Sequence, residues 1–191
     1  TLIQTGKIAK FPIILAGKSY WQGVYDWICN TMIEQGNIHK EDLELFKIAD
    51  TADEVVKKTE AEIGKDALFA SNTSTLPISG LAQASGRPAN FIGLHFFSPA
   101  ERMPLVEIIC GKDTSPETLA RSYDFVQQIG KTPVIVNDSR GFFTSRVFGT
   151  FCHEGIAMLR EGVAAAAIEN GALLAGFPVG PLAVSDEVSL T

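Results

Sequence analysis

A histidine closes one apolar run in this chain and a carboxylate lies inside the next. Phe91-Ile92-Gly93-Leu94-His95-Phe96 has the texture of a buried strand, and so does Leu105-Val106-Glu107-Ile108-Ile109. An unpaired carboxylate is expensive in such a setting, so Glu107 needs a partner. A histidine can be that partner: the carboxylate fixes one imidazole tautomer and stabilises the cation formed when the ring takes up a proton. The sequence therefore points to a general-base histidine oriented by a buried glutamate. The competing reading is a satisfied core histidine beside an edge-strand glutamate, and the residues alone leave both open.

The rest of the chain supplies a body for such a pair. At 191 residues and 46% hydrophobic, it can bury a core as one domain, or one domain with an appendage. Apolar runs alternate with helical patterns, which predicts an α/β fold with a Rossmann-like, largely parallel sheet and flanking helices. Strands are expected at Phe11–Gly17, Leu45–Ala49, Leu68–Ala70, Phe91–Phe96, Leu105–Cys110 and Val134–Val136. Helices are expected at Tyr20–Gln35, from Asp50 or Thr51 to about Ile63, at Ile78–Ser85 and at Ser115–Ile129. After Asn137 the texture becomes wholly helical, at Gly141–Arg160 and Ala164–Ala175, with a last helical start cut off at Thr191. This sets a boundary between an α/β domain, 1–136, and a truncated helical domain, 137–191. Whether the Phe11–Gly17 strand joins the sheet that carries His95 is left open.

Composition narrows the function classes. A net charge of −6 without a basic stripe argues against nucleic acid. Cys29, Cys110 and Cys152 are isolated and the three histidines are scattered, so neither a disulfide framework nor a metal site is indicated. No apolar run is long enough to span a bilayer, and the chain reads as cytoplasmic, with no membrane partner. It opens at Thr1 without an initiator methionine, as a processed chain or fragment would. Trp21 and Trp27 read as packing residues, and Glu41-Asp42-Leu43-Glu44 as a solvated acidic turn.

In open α/β sheets, ligands bind beyond the carboxyl ends of the strands. Ser71, Asn72 and Ser74 stand at one such end, and His95 and Ser98 at the next. The plainer reading of Ser71-Asn72-Thr73-Ser74 is a turn that caps the following helix. Convergence of Ser74, His95 and Glu107 on one sheet edge favours a site.

Several motifs, in order, carry a resemblance. They are Phe69-Ala70-Ser71-Asn72-Thr73-Ser74, Gly93-Leu94-His95-Phe96-Phe97-Ser98-Pro99, Met103-Pro104-Leu105-Val106-Glu107, Gly130-Lys131-Thr132-Pro133, Asn137-Asp138-Ser139-Arg140-Gly141-Phe142 and Pro178-Val179-Gly180-Pro181. From about Lys57 to Thr191 the chain resembles the 3-hydroxyacyl-CoA dehydrogenases of multifunctional fatty-acid oxidation proteins. The resemblance implies an acyl-CoA substrate, with His95 removing the hydroxyl proton while hydride passes to NAD, and Glu107 orienting the histidine. It implies Ser74 near the substrate oxygen, Asn72 and Ser98 on the cofactor side, and a homodimer through helices 141–175. Ser98 stands where the family often has asparagine. Ser145 does so too, in Gly141-Phe142-Phe143-Thr144-Ser145-Arg146, where it would reach the substrate carbonyl through its hydroxyl or a water.

Residues 1 to about 56 do not follow that family. There is no Gly-x-Gly-x-x-Gly turn, since Gly17 and Gly23 do not form one, and no Walker sequence. Thr1–Gly23 and Ala52–Val56 resemble instead the C-terminal part of the LOG proteins, Rossmann-like and once labelled lysine decarboxylase-like. The catalytic motif of those phosphoribohydrolases would lie before Thr1. The chain thus reads as a chimera, designed or natural, joined inside a helix near Val56-Lys57. Without the glycine turn, NAD binding is expected to be weak or absent. The alternatives are a non-catalytic recombined scaffold and a LOG-type hydrolase remnant.

Overall fold

The computed structural model describes residues 3–9 and 11–187; Thr1, Leu2 and Thr191, at the ends of the two resemblances, lie outside them. The chain forms two compact units, 1–138 and 139–191. The first is mixed α/β with mainly parallel strand pairs, as the alternation of apolar runs and helical patterns predicts.

Its front part is a small βαβα unit. Strand β1 (Ile14–Ala16) runs parallel to β2 (Lys47–Ala49), with Leu15 opposite Ile48. Gly17, at φ 92°, turns the chain from β1 into helix α1 (Lys18–Trp27), a conformation that suits a residue without Cβ. The helix expected to run unbroken to Gln35 instead widens into a π-helical turn, Ile28–Ile33. Gly36, at φ 71°, then ends it. A 3-10 segment, Lys40–Leu45, replaces the expected solvated acidic turn and shortens the next strand. Asp42 accepts from the His39 amide at 2.9 Å and is half-buried, so its carboxylate caps this segment. Thr51 caps helix α2 (Ala52–Glu62), accepting from the Glu54 amide at 3.2 Å.

A second sheet has the order β3-β4-β5-β6, from β3 (Phe69–Ser71), β4 (Phe91–Phe96), β5 (Leu105–Cys110) and β6 (Thr132–Asn137). β3 and β4 are parallel, as are β5 and β6, whereas β4 and β5 are antiparallel. The strand after Phe11 therefore does not share a hydrogen-bonded sheet with the strand that carries His95. The cause is visible at the edge of β2. Lys47 and Ala49 bond to β1, so by alternation the peptide groups of Ile48 face the other way. The Ile48 carbonyl accepts from Lys58 Nζ at 2.5 Å rather than from a neighbouring strand. Leading into β3, the carbonyls of Gly64 and Lys65 accept from Arg87, and that of Asp66 from Arg121.

Strand alternation distributes the core of the four-stranded sheet. Ile92, Leu94, Val106 and Ile108 are buried against Val126 of helix α4 (Pro116–Gln128), which Ser115 caps. Gly93, His95, Glu107 and Ile109 take the opposite face by the period of two. There Ile78, the first residue of the short helix α3 (Ile78–Ala82), presses on Gly93. A Cβ on Gly93 would lie 2.7 Å from Ile78 Cγ1, so only glycine admits this approach.

The second unit is helical, with α5 (Thr144–Arg160), α6 (Ala165–Leu174) and α7 (Pro181–Glu187). Gly155 of α5 lies against Pro181, the first residue of α7. The Glu169 carboxylate of α6 accepts from the Leu182 amide at 2.9 Å, tying α6 to α7. Phe142 is buried at φ 42°, an unusual conformation for a bulky residue. Among the described residues, no helix is long and apolar enough to cross a membrane.

Candidate functional site

The antiparallel register of β4 and β5 places His95 directly opposite Glu107. His95 Nδ1 lies 2.7 Å from Glu107 Oε2. Glu107 is wholly buried and His95 is 5% exposed, so the two polar groups meet inside the protein. Burial favours the pair over bulk solvent as the partner of either group, and the short separation is that of a charge-assisted hydrogen bond. With Nδ1 engaged by the carboxylate, Nε2 is the ring atom that would exchange a proton with a ligand. The ring of Phe97 lies beside the imidazole, with centroids 4.5 Å apart.

The loops at this edge are held from several sides. Because β3 and β4 are parallel, their carboxyl ends emerge together. Asn72, just past β3, accepts from the Phe96 amide through Oδ1 at 2.9 Å, pinning the loop to the end of β4. Ser74 follows in that loop. Ser71 and Thr73 accept from backbone amides within it, at 3.4 Å from Thr73 and 3.0 Å from Leu76, so those two hydroxyls serve the turn. Ser98 is exposed in the loop between β4 and β5. Ser145 belongs to the first turn of α5, in the second unit.

Two supports were missed although their motifs stand out in the sequence. Lys131 Nζ donates to the Ala100 and Met103 carbonyls, at 2.5 and 2.7 Å, and so anchors the β4–β5 loop. Asp138 accepts from the amides of Ile78 and Ser79, at 2.7 and 2.8 Å, and from Ser79 Oγ. It thereby fixes α3, which continues the Ser74 loop. Each partner lies far along the chain, so no local pattern announces the contact.

At the front of the chain, the turn from β1 into α1 is a strand-to-helix turn of the type that holds a pyrophosphate. Here the first helical amide, Lys18 N, donates to Asp50 Oδ1 at 2.6 Å. A carboxylate thus stands at the helix N-terminus. Among the described residues, no cluster of three or more His, Cys, Asp or Glu could hold a metal ion.

Comparison with known proteins separates the same two parts. Residues 45–139 match the family described as 3-hydroxyacyl-CoA dehydrogenase, NAD binding domain, and 141–191 match its C-terminal domain. Residues 1–59 match a family described as possible lysine decarboxylase. The two matches overlap over 45–59, the β2–α2 region of this chain. The fatty acid oxidation complex subunit alpha of Shewanella oneidensis is 46% identical over 137 residues, 72% of this chain. The chain spans about a fifth of that relative's length, 19%. Among solved structures, (S)-3-hydroxybutyryl-CoA dehydrogenase from Ralstonia eutropha superposes with a TM-score of 0.68 at 24% identity, covering 94% of this chain and 83% of that one. The 3-hydroxybutyryl-CoA dehydrogenase from Escherichia coli gives 0.68 at 25% identity, covering 94% of this chain and 44% of that one.

Proposed function

Because the chain belongs, over residues 45–191, to the 3-hydroxyacyl-CoA dehydrogenase family, we propose that it carries the proton-handling part of the interconversion of 3-hydroxyacyl-CoA and 3-ketoacyl-CoA. The observation that supports this most directly is the buried contact of 2.7 Å between His95 and Glu107. Oxidising a secondary alcohol requires its O–H proton to leave, and His95 Nε2 accepts that proton. Glu107 holds Nδ1 in the donor state and balances the imidazolium, so the charge never stands alone in the interior. In the reverse direction the imidazolium returns the proton to the carbonyl oxygen. Ser74 is assigned to the substrate oxygen, Ser145 to the thioester carbonyl, and Asn72 and Ser98 to the cofactor side.

The front of the chain fits NAD poorly. The α1 N-terminus presents Asp50 where a pyrophosphate would need bare N–H groups, and like charges repel there. The chain therefore retains the base and its orienting carboxylate, and grips the dinucleotide weakly or not at all. The discriminating assay is acetoacetyl-CoA reduction with millimolar NADH. Turnover lost by about 10²-fold or more in His95→Ala supports the reading. Turnover equal in His95→Ala and the unaltered chain refutes it.

A second reading, a non-catalytic recombined scaffold, draws on the break between β2 and β3. It predicts a cooperative melt that NAD does not shift, with no turnover at any cofactor concentration. As for partners, Val147, Ile156 and Leu159 are exposed apolar residues on α5, and a second copy of this chain is the occupant assigned to them. Concentration-dependent sedimentation tests that assignment.

A further inference from the structure

The front βαβα unit carries an open apolar cavity of about 440 Å³, set between β1, α1 with its π-helical turn, and the segment 38–46. Its walls are mainly apolar, with Leu15 from β1, Val24 from α1, Ile28 and Met32 from the π-helical turn, and Leu45 after it. The rings of Tyr25 and Phe46, 6.3 Å apart and nearly perpendicular, form an aromatic corner. The space is open to solvent on one side, with Val24 47% exposed, and it exceeds the ~150 Å³ that suffices to take up benzene. Ligand sites span roughly 300–1,000 Å³ and are lined in this way, with a few polar groups setting orientation. The widened helical turn adds a second feature, since π-helical turns recur at binding sites.

Charge decides the class of ligand. The one ionisable carboxylate in the lining is Asp42, whose Oδ2 accepts from Gln4 Nε2 at 2.7 Å and from the His39 amide. Among the described residues, no lysine, arginine or histidine lines it. An anionic head group would meet a carboxylate with no cation to offset it.

We propose that this cavity is a binding site for an uncharged, compact apolar molecule of about two rings, distinct from the His95–Glu107 site. It excludes anions such as free fatty acids and acyl-CoA. The site does not depend on the dehydrogenase reading, and its test uses neither NAD nor acyl-CoA.

Two dyes with one ring skeleton supply that test: neutral N-phenyl-1-naphthylamine and its anionic relative 8-anilinonaphthalene-1-sulfonate, titrated by fluorescence into the full chain. The neutral dye should bind saturably at one site, about tenfold or more tighter than the sulfonate. Met32→Trp, which fills the space, should weaken the neutral dye about tenfold. Leu15→Phe serves the same purpose should Met32→Trp not melt cooperatively. Asp42→Asn, which keeps an acceptor oxygen for Gln4 and His39, should narrow the gap between the dyes. Sulfonate binding as tight as the neutral dye would indicate loosely packed apolar surface and overturn the proposal. So would neutral-dye affinity that both filling variants leave unchanged, or that falls as protein concentration rises, because a second copy would then be the occupant.

Discussion

His95 and Glu107 are cross-strand partners in the antiparallel β4–β5 pair, with Nδ1 and Oε2 2.7 Å apart and both side chains out of solvent. A buried polar pair of this type adds little to stability, because desolvation of both groups offsets their attraction. Its presence in an otherwise apolar strand pair is the observation behind the proposed proton transfer.

Function and stability should therefore part company at this pair. Glu107→Gln is expected to fold and to lower turnover by between about 10²- and 10⁴-fold, since the histidine loses its charge-balancing partner. Glu107→Ala, which leaves His95 buried beside a void, should cost about 3–5 kcal/mol. Replacing both residues with leucine should be neutral or stabilising by about 1–4 kcal/mol while abolishing turnover. Urea denaturation of the three variants, beside the acetoacetyl-CoA assay, checks all three outcomes.

Much of this arrangement was legible before the structure, and the reason differs by element. β4 and β5 begin and end where their apolar runs do, because residues such as Ile92, Leu94, Val106 and Ile108 are buried and the pattern is unambiguous. The antiparallel direction of β4 and β5 leaves no mark in the apolar pattern, although the eight residues between Phe96 and Leu105 allow a direct return. The π-helical turn at Ile28–Ile33 is invisible in the sequence because its apolar spacing also fits an α-helix. Asp42 reads as solvated from the sequence because one of its partners, the Gln4 side chain, lies 38 residues away. Tertiary contacts of this kind leave no periodic trace.

Gly93 sets the distance between β4 and α3. A methyl group there would stand 2.7 Å from Ile78 Cγ1 and 3.0 Å from Ile109 Cβ. Gly93→Ala is expected to cost about 1–3 kcal/mol through overpacking. Ile78→Val in the same chain should recover part of that loss, as it removes the Cδ1 atom, which lies at 2.8 Å. A double-mutant cycle of thermal melts measures the coupling, and strict additivity would contradict the contact.

Asp50 should be the main obstacle to dinucleotide binding at the α1 N-terminus, where it accepts from Lys18 N. A ligand held at about 10 µM would stabilise the fold by about 2.7 kcal/mol at 1 mM. No such shift is expected for the unaltered chain with 1 mM NAD. Asp50→Asn, which removes the charge and keeps an acceptor for the amide, should produce a small upward shift in Tm. A large shift without the substitution would show an intact pyrophosphate site.

Burial pushes the Cys110 thiol above its ordinary 9.0. The unfolded chain then loses this proton first as pH rises, so the native state holds more protons in that range. The contribution of this group to stability is complete below about pH 9 and is lost as pH rises through the higher native value. Iodoacetamide labelling of Cys110, followed by mass spectrometry, should stay slow near pH 8 and accelerate only above pH 9. Rapid labelling at pH 8 would place the thiol in solvent.

The two sheets of the first unit differ in what protects them. β4 and β5 share four register positions, β5 and β6 six, and the sheet buries a contiguous cluster against Val126, whereas β1 and β2 share three. No residue of α1 is fully buried, and the cavity further thins the packing around β1. Local opening follows few buried contacts and short ladders. Amides of Leu94 and Ile108 should therefore exchange only through global unfolding, while those of the β1–β2 pair exchange about 10²-fold faster or more. Hydrogen-exchange mass spectrometry on peptides covering 11–17 and 91–110 measures the ratio. If both exchanged alike, the lysine that caps the edge of β2 would not mark a mechanical break, and the front segment would fold as one with the sheet that holds His95 and Glu107.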